Sequence, residues 1–130
     1  MDNTIKTPQE PAACAEELVL LRGEAVERIG DEGIYLEIAH YFAGHLTASL
    51  AALGQALDKG DIESAARLTH SLKGNCAMVG AEAMREHCFC LEKLCRADDL
   101  DAARKQYALM NPKMLALQRV LASLQRSLAG

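Results

Sequence analysis

The sequence predicts an all-α chain, an antiparallel up-down-up-down four-helix bundle with a short additional N-terminal helix. Three observations carry that expectation. Long stretches repeat apolar residues at spacings of three and four, the pattern of helices that bury one face. The links between those stretches are a few residues long, which sets neighbouring helices antiparallel. Alanine and leucine supply the core, while only 4 % of the 130 residues are aromatic, Trp is absent and Pro occurs three times. That composition suits close helix packing better than a β-sandwich.

Met1–Ala13 holds Pro8 and Pro11 without periodicity and reads as a flexible N-terminal segment, 1–13, ahead of one helical domain at 14–130. From Cys14 to Arg28, Leu18, Val19, Leu21 and Val26 suggest a short helix across the mouth of the bundle, broken by Gly23. Asp31 and Glu32 open the first long helix, since acidic side chains favour a helix N-terminus. Its stripe is Ile34, Ile38, Tyr41, Phe42, His45, Leu46, Leu50, Leu53 and Leu57, and it runs to Asp58. Lys59-Gly60-Asp61 is a tight break, with Gly60 past the helix end and Asp61 as the next N-cap.

The second long helix covers Ile62 to Val79 and Gly80 ends it; the third covers about Ala81 to Arg96, with Met84, His87, Cys88, Leu91, Leu94 and Cys95 inward. Ala97-Asp98-Asp99 turns into a last segment, Leu100 to Leu128. Its apolar face runs from Leu100, Ala103 and Tyr107 through Met110, Met114, Leu117, Val120, Leu121 and Leu124 to Leu128. Pro112 interrupts it, leaving open a kinked helix or two helices.

A formal charge of −4, from 14 basic and 18 acidic residues, without a basic block, argues against nucleic acid and anionic membranes as partners. No apolar run is long enough to span a bilayer and no signal-peptide pattern opens the chain, so a cytoplasmic protein is expected. The five cysteines read as reduced packing residues, and a monomer is expected because the outer faces are polar.

Chemistry concentrates in Ala65–Ala81. Ala65, Leu68, Leu72, Cys76 and Val79 form the inward stripe, and His70 lies about 200° around the axis from Leu68. An outward imidazole is thus bordered by Ala66 one turn before, Lys73 and Gly74 one turn after, and Ala77 two turns on. A neutral imidazole is nucleophilic near pH 7, and an adjacent ammonium disfavours the imidazolium and can stabilise phosphoryl oxygens. Glycine inside a helix costs about 1 kcal/mol relative to alanine, which close approach of a partner at Gly74 would explain. His45 and His87 fall on or near apolar stripes, where bonding to a neighbour is expected. Cys88 and Cys90 point to different sides of a helix, so no metal site is expected. Without a Gly-rich phosphate loop the chain has no ATP site and is no kinase by itself.

The run His70-Ser71-Leu72-Lys73-Gly74-Asn75-Cys76-Ala77-Met78-Val79-Gly80-Ala81 resembles the signature of histidine phosphotransfer (HPt) domains of two-component phosphorelays. The likeness extends from about Ile29 to Leu128 and takes in the Gly-Asp turn and the Leu91-Glu92 pair. Asn75 and Cys76 stand where small Ser or Ala is usual, and Pro112 is a departure in the last helix. The resemblance implies that His70 accepts a phosphoryl group on Nε2 from a receiver-domain aspartyl phosphate and passes it to another receiver aspartate. It further implies that Lys73 neutralises phosphoryl charge and Gly74 leaves room for receiver loops. Glu92 has two open readings, a hydrogen-bond acceptor for the other ring nitrogen or a solvated face residue. Arg67 has two as well, docking an acidic receiver surface or merely solubilising the helix.

The implied partners are receiver domains of response regulators or hybrid sensor kinases. Those receivers bring the Mg²⁺, and no cofactor is expected on this chain. Two alternatives are the substrate domain of a chemotaxis-type histidine kinase and a non-catalytic binding bundle. The initial Met and the lack of a second domain favour a free-standing relay protein over the first, and the joint presence of His70, Lys73 and Gly74 disfavours the second.

Overall fold

The computed structural model describes residues 15–127, so the expected flexible segment 1–13 lies outside the described residues, as does Cys14. The chain forms a short 3₁₀ turn (Ala15–Leu18) and five α-helices: α1 (Arg22–Ile29), α2 (Glu32–Asp58), α3 (Ile62–Val79), α4 (Glu82–Arg96) and α5 (Leu100–Ala122). Helix α2 packs on α3 and α5, and α4 packs on the same two, which closes α2–α5 into an antiparallel four-helix bundle. The fold class is the one the periodicity predicts.

Capping aspartates fix three of the helix starts. The Asp31 carboxylate accepts from Ile34 N at 2.9 Å, Asp61 from Ser64 N at 3.2 Å and Asp99 from Ala102 N at 3.2 Å. Each satisfies an N–H that has no partner inside its own helix. Gly80 ends α3 with φ +80, and an added Cβ there would lie 2.7 Å from the Leu21 carbonyl oxygen. That seam is tight because Leu21 N donates to Gly80 O at 2.9 Å, tying the approach to α1 onto the end of α3.

Several expectations need correction. The stretch from Cys14 to Arg28 is not one helix: the 3₁₀ turn packs on α4 and α5, and a separate α1 packs on α2 and α3. Gly23 lies inside α1 rather than breaking it, and the break falls at Val19–Leu21. Of the two readings left open at Pro112, two separate helices fall away, because α5 runs through it; Met110, Met114, Leu117 and Leu121 are all fully buried around it and outweigh the lost backbone bond. The helix ends at Ala122, short of the expected Leu128. On α2, Ile34, Tyr41 and His45 face outward, with Tyr41 69 % exposed, while Tyr35, Leu36, Ala39 and Ala43 take the core. Tyr35 can be buried because its hydroxyl donates to Val79 O at 2.8 Å, which satisfies the polar atom and joins α2 to the end of α3.

Candidate functional site

Helix α3 sets the site. Ala65, Leu72, Cys76 and Val79 are buried as expected, and Thr69 joins them because its hydroxyl donates to Ala65 O at 2.7 Å. This inward stripe turns His70 to the surface, where its side chain is 64 % exposed. The ring is nevertheless fixed. Nδ1–H donates to Glu92 Oε2 on α4 at 2.9 Å, a tautomer inferred from the acceptor being a carboxylate. Nε2 has no hydrogen-bond partner among the described residues and keeps its lone pair outward.

Glu92 is buried rather than solvated. Its other oxygen, Oε1, pairs with Lys73 Nζ at 2.7 Å, and Arg96 Nη2 reaches Oε2 at 2.7 Å. Burial works against ionising this carboxyl, but hydrogen bonds from Lys73, Arg96 and His70 outweigh it and pull the pKa from 4.5 down to about 2. The carboxylate is therefore charged throughout the neutral range and available as an acceptor. Phe89, one turn earlier on α4, carries the Lys73 ammonium 5.3 Å and the Lys93 ammonium 5.1 Å from its ring centroid.

Gly74 is exposed, and none of the described residues stands within 4 Å of where its Cβ would be. The glycine therefore meets no packing demand from the bundle itself. Ala77 is half-buried, and its carbonyl accepts from Arg28 Nη2 at 2.8 Å, which brings α1 alongside this face. Ala66 departs from expectation: at 9 % exposure it belongs to the core edge and offers little methyl surface to a partner. Arg67 is exposed and its guanidinium donates to Ser64 Oγ at 3.3 Å on its own helix.

The other histidines are placed elsewhere. His45 is exposed, not on the apolar stripe, and stacks on Tyr41 with centroids 4.1 Å apart. His87 is bonded to neighbours, through Nε2–H to Glu17 at 3.1 Å and by accepting from Gln106 at 3.2 Å. Cys76, Cys88 and Cys95 are buried free thiols, and Cys90 is an exposed one. Among the described residues no group of three His, Cys, Asp or Glu side chains is placed to hold a metal ion, and no helix is long and apolar enough to cross a membrane.

This exposed imidazole, held at Nδ1 by Glu92 and with an open flank at Gly74, sits in a chain whose residues 37–127 match the family model of the Hpt domain. The chain belongs to the Hpt family. Hpt domains are the histidine phosphotransfer modules of two-component phosphorelays, distinct from kinases, and they work with receiver domains. No curated protein and no solved structure gives a significant match to the chain.

In this Hpt domain, His70, Lys73, Gly74 and Glu92 converge at one place on the α3–α4 face. Arg96 and Phe89 were not singled out by the sequence. Phe89, Glu92, Lys93 and Arg96 are spaced by three and four, so they share a face of α4, and that spacing was the available signal. Which α3 residues that face meets is a matter of helix register, which periodicity does not encode.

Proposed function

We propose that His70 is the phosphoacceptor of this Hpt domain, taking a phosphoryl group from a receiver aspartyl phosphate and yielding it to the aspartate of another receiver. The observation that carries the reading is an exposed ring whose Nδ1–H is held by Glu92 while Nε2 has no partner among the described residues. The Nε2 lone pair attacks phosphorus as the bond from phosphorus to the receiver's carboxylate oxygen breaks, and the bonding pair leaves with that carboxylate. The proton on Nδ1 stays on the ring. Transfer onward is the same exchange in the opposite sense.

Each neighbour has a role in this reading. Glu92 fixes the tautomer and the ring's direction, so little orientational freedom is lost when a receiver docks. Lys73, 2.7 Å from Glu92 Oε1 and beside the ring, supplies positive charge toward the incoming phosphoryl oxygens. Gly74 leaves the flank open for receiver loops, with Ala77 continuing that low surface. The receiver contributes Mg²⁺ and the acidic pocket, so the bundle needs to offer only the imidazole.

The test is transfer of labelled phosphate from a phosphorylated receiver domain. The wild-type chain is expected to gain an acid-labile, base-stable label. His70→Gln is expected to lose it with helical content unchanged. Equal labelling of that variant moves the acceptor elsewhere.

A further inference from the structure

We infer that Arg96 is a positioning residue for His70 that acts through Glu92: by sharing the carboxylate with the ring, it allows Glu92 to hold the tautomer without turning the imidazole into a cation. The inference deepens the phosphoacceptor reading and rests on it.

The geometry is a carboxylate with three claimants. Glu92 Oε2 receives both the His70 Nδ1–H at 2.9 Å and Arg96 Nη2 at 2.7 Å, and Arg96 Nε adds a third contact to that oxygen at 3.2 Å. Oε1 is engaged by Lys73 Nζ at 2.7 Å. A carboxylate facing a lone imidazole favours the imidazolium, because the opposite charge nearby stabilises it. A protonated Nε2 has no lone pair to offer phosphorus. The two demands on Glu92, to grip Nδ1–H and to leave Nε2 bare, therefore conflict unless its charge is compensated. Lys73 and Arg96 set two permanent positive charges against one negative one, so a third cation on the ring is opposed.

The surroundings leave this task to those two. On α4, Lys93 is occupied at Phe89. On α3 itself, Arg67 is turned to Ser64, and Glu63 is an exposed residue of the first turn. Helix α2 brings Glu37 and His45 to a groove with Asn75, and α1 brings Glu24 and Arg28 to one with Gly74 and Ala77. Among the described residues, only Glu92 is in hydrogen-bond contact with the His70 ring. Arg96 differs from Lys73 in one useful respect: it lies on the Glu92 oxygen that holds the ring, so it weakens that particular bond's pull on a proton.

The experiment follows the His70 ring by NMR across pH in the full chain, in wild type, Arg96→Met, Arg96→Lys and Glu92→Gln, alongside the pH profile of phosphoryl acceptance from a phosphorylated receiver. Arg96→Met is expected to raise the ring's titration midpoint by about half a unit. It is also expected to move the acid limb of the acceptance profile upward by the same amount while leaving the rate above pH 8.5 unchanged. Arg96→Lys is expected to restore the wild-type profile, and Arg96→Met added to Glu92→Gln to shift nothing further. A midpoint unmoved by Arg96→Met, or a rate lowered equally at every pH, overturns the inference. A wild-type chain that takes no label on His70 overturns the phosphoacceptor reading instead, and the ring titration, which needs no receiver, separates the two failures.

Discussion

At the scale of single residues, Gly74 and Glu92 separate stability from function in opposite ways. Gly74 is a helical glycine with open space where a Cβ would go. Gly74→Ala is therefore expected to stabilise the fold by about 0.5–1 kcal/mol, the usual helix-propensity gain. If the open flank serves receiver approach, the same change slows transfer; calorimetry and labelling kinetics on one variant check both. Glu92 works the other way. Its carboxyl titrates at about 2 in the fold against 4.5 when unperturbed. The folded state thus holds fewer protons than the unfolded one between those values, and the stabilisation is present above pH 4.5 and lost as pH falls toward 2. The depression sets a ceiling of ~3 kcal/mol. Exposure of the Arg96 side chain and screening reduce that to roughly 1–2 kcal/mol. Chemical denaturation of Glu92→Gln is expected to show that deficit at pH 7 and none near pH 2.

At the scale of elements, Pro112 is the sharpest case of packing overriding local preference. A proline inside a helix forfeits a backbone bond and crowds the preceding turn, yet α5 continues through it. Pro112 itself is exposed, so replacing it leaves the core intact. Pro112→Ala is expected to stabilise the bundle by about 1–3 kcal/mol, seen as a rise in Tm. The four long helices were legible in the sequence because their apolar repeats and capping aspartates are local signals. The outward turn of Tyr41 and the burial of Tyr35 were not, since Tyr35 depends on a carbonyl 44 residues away. The split between the 3₁₀ turn and α1 was hidden for a similar reason: Glu17 is held by His87 and Lys113 on two other helices, at 3.1 and 2.8 Å. The site divides along the same line. His70, Lys73 and Gly74 share one helix and could be read from spacing, whereas the meeting of Glu92 and Arg96 with them is a contact between helices.

At the scale of the whole molecule, the bundle shelters its sulfur. Burial raises the Cys95 thiol above its ordinary range, and a hydrogen bond with the Cys88 thiol together with burial raises Cys76. With a thiol reagent at neutral pH, Cys90 is expected to react at once, and Cys76, Cys88 and Cys95 only as the chain unfolds; mass mapping of the modified sites checks this. The same closure bears on α3, which is anchored by the Asp61 cap at one end and by Tyr35 and Leu21 at the other. A helix pinned at both extremities is held in one seat, which on the proposed reading would keep it in place when a receiver delivers its group to His70. On the phosphoacceptor reading proposed above, such a domain is a reversible conduit, whose direction is set by the relative abundance of charged and empty partners.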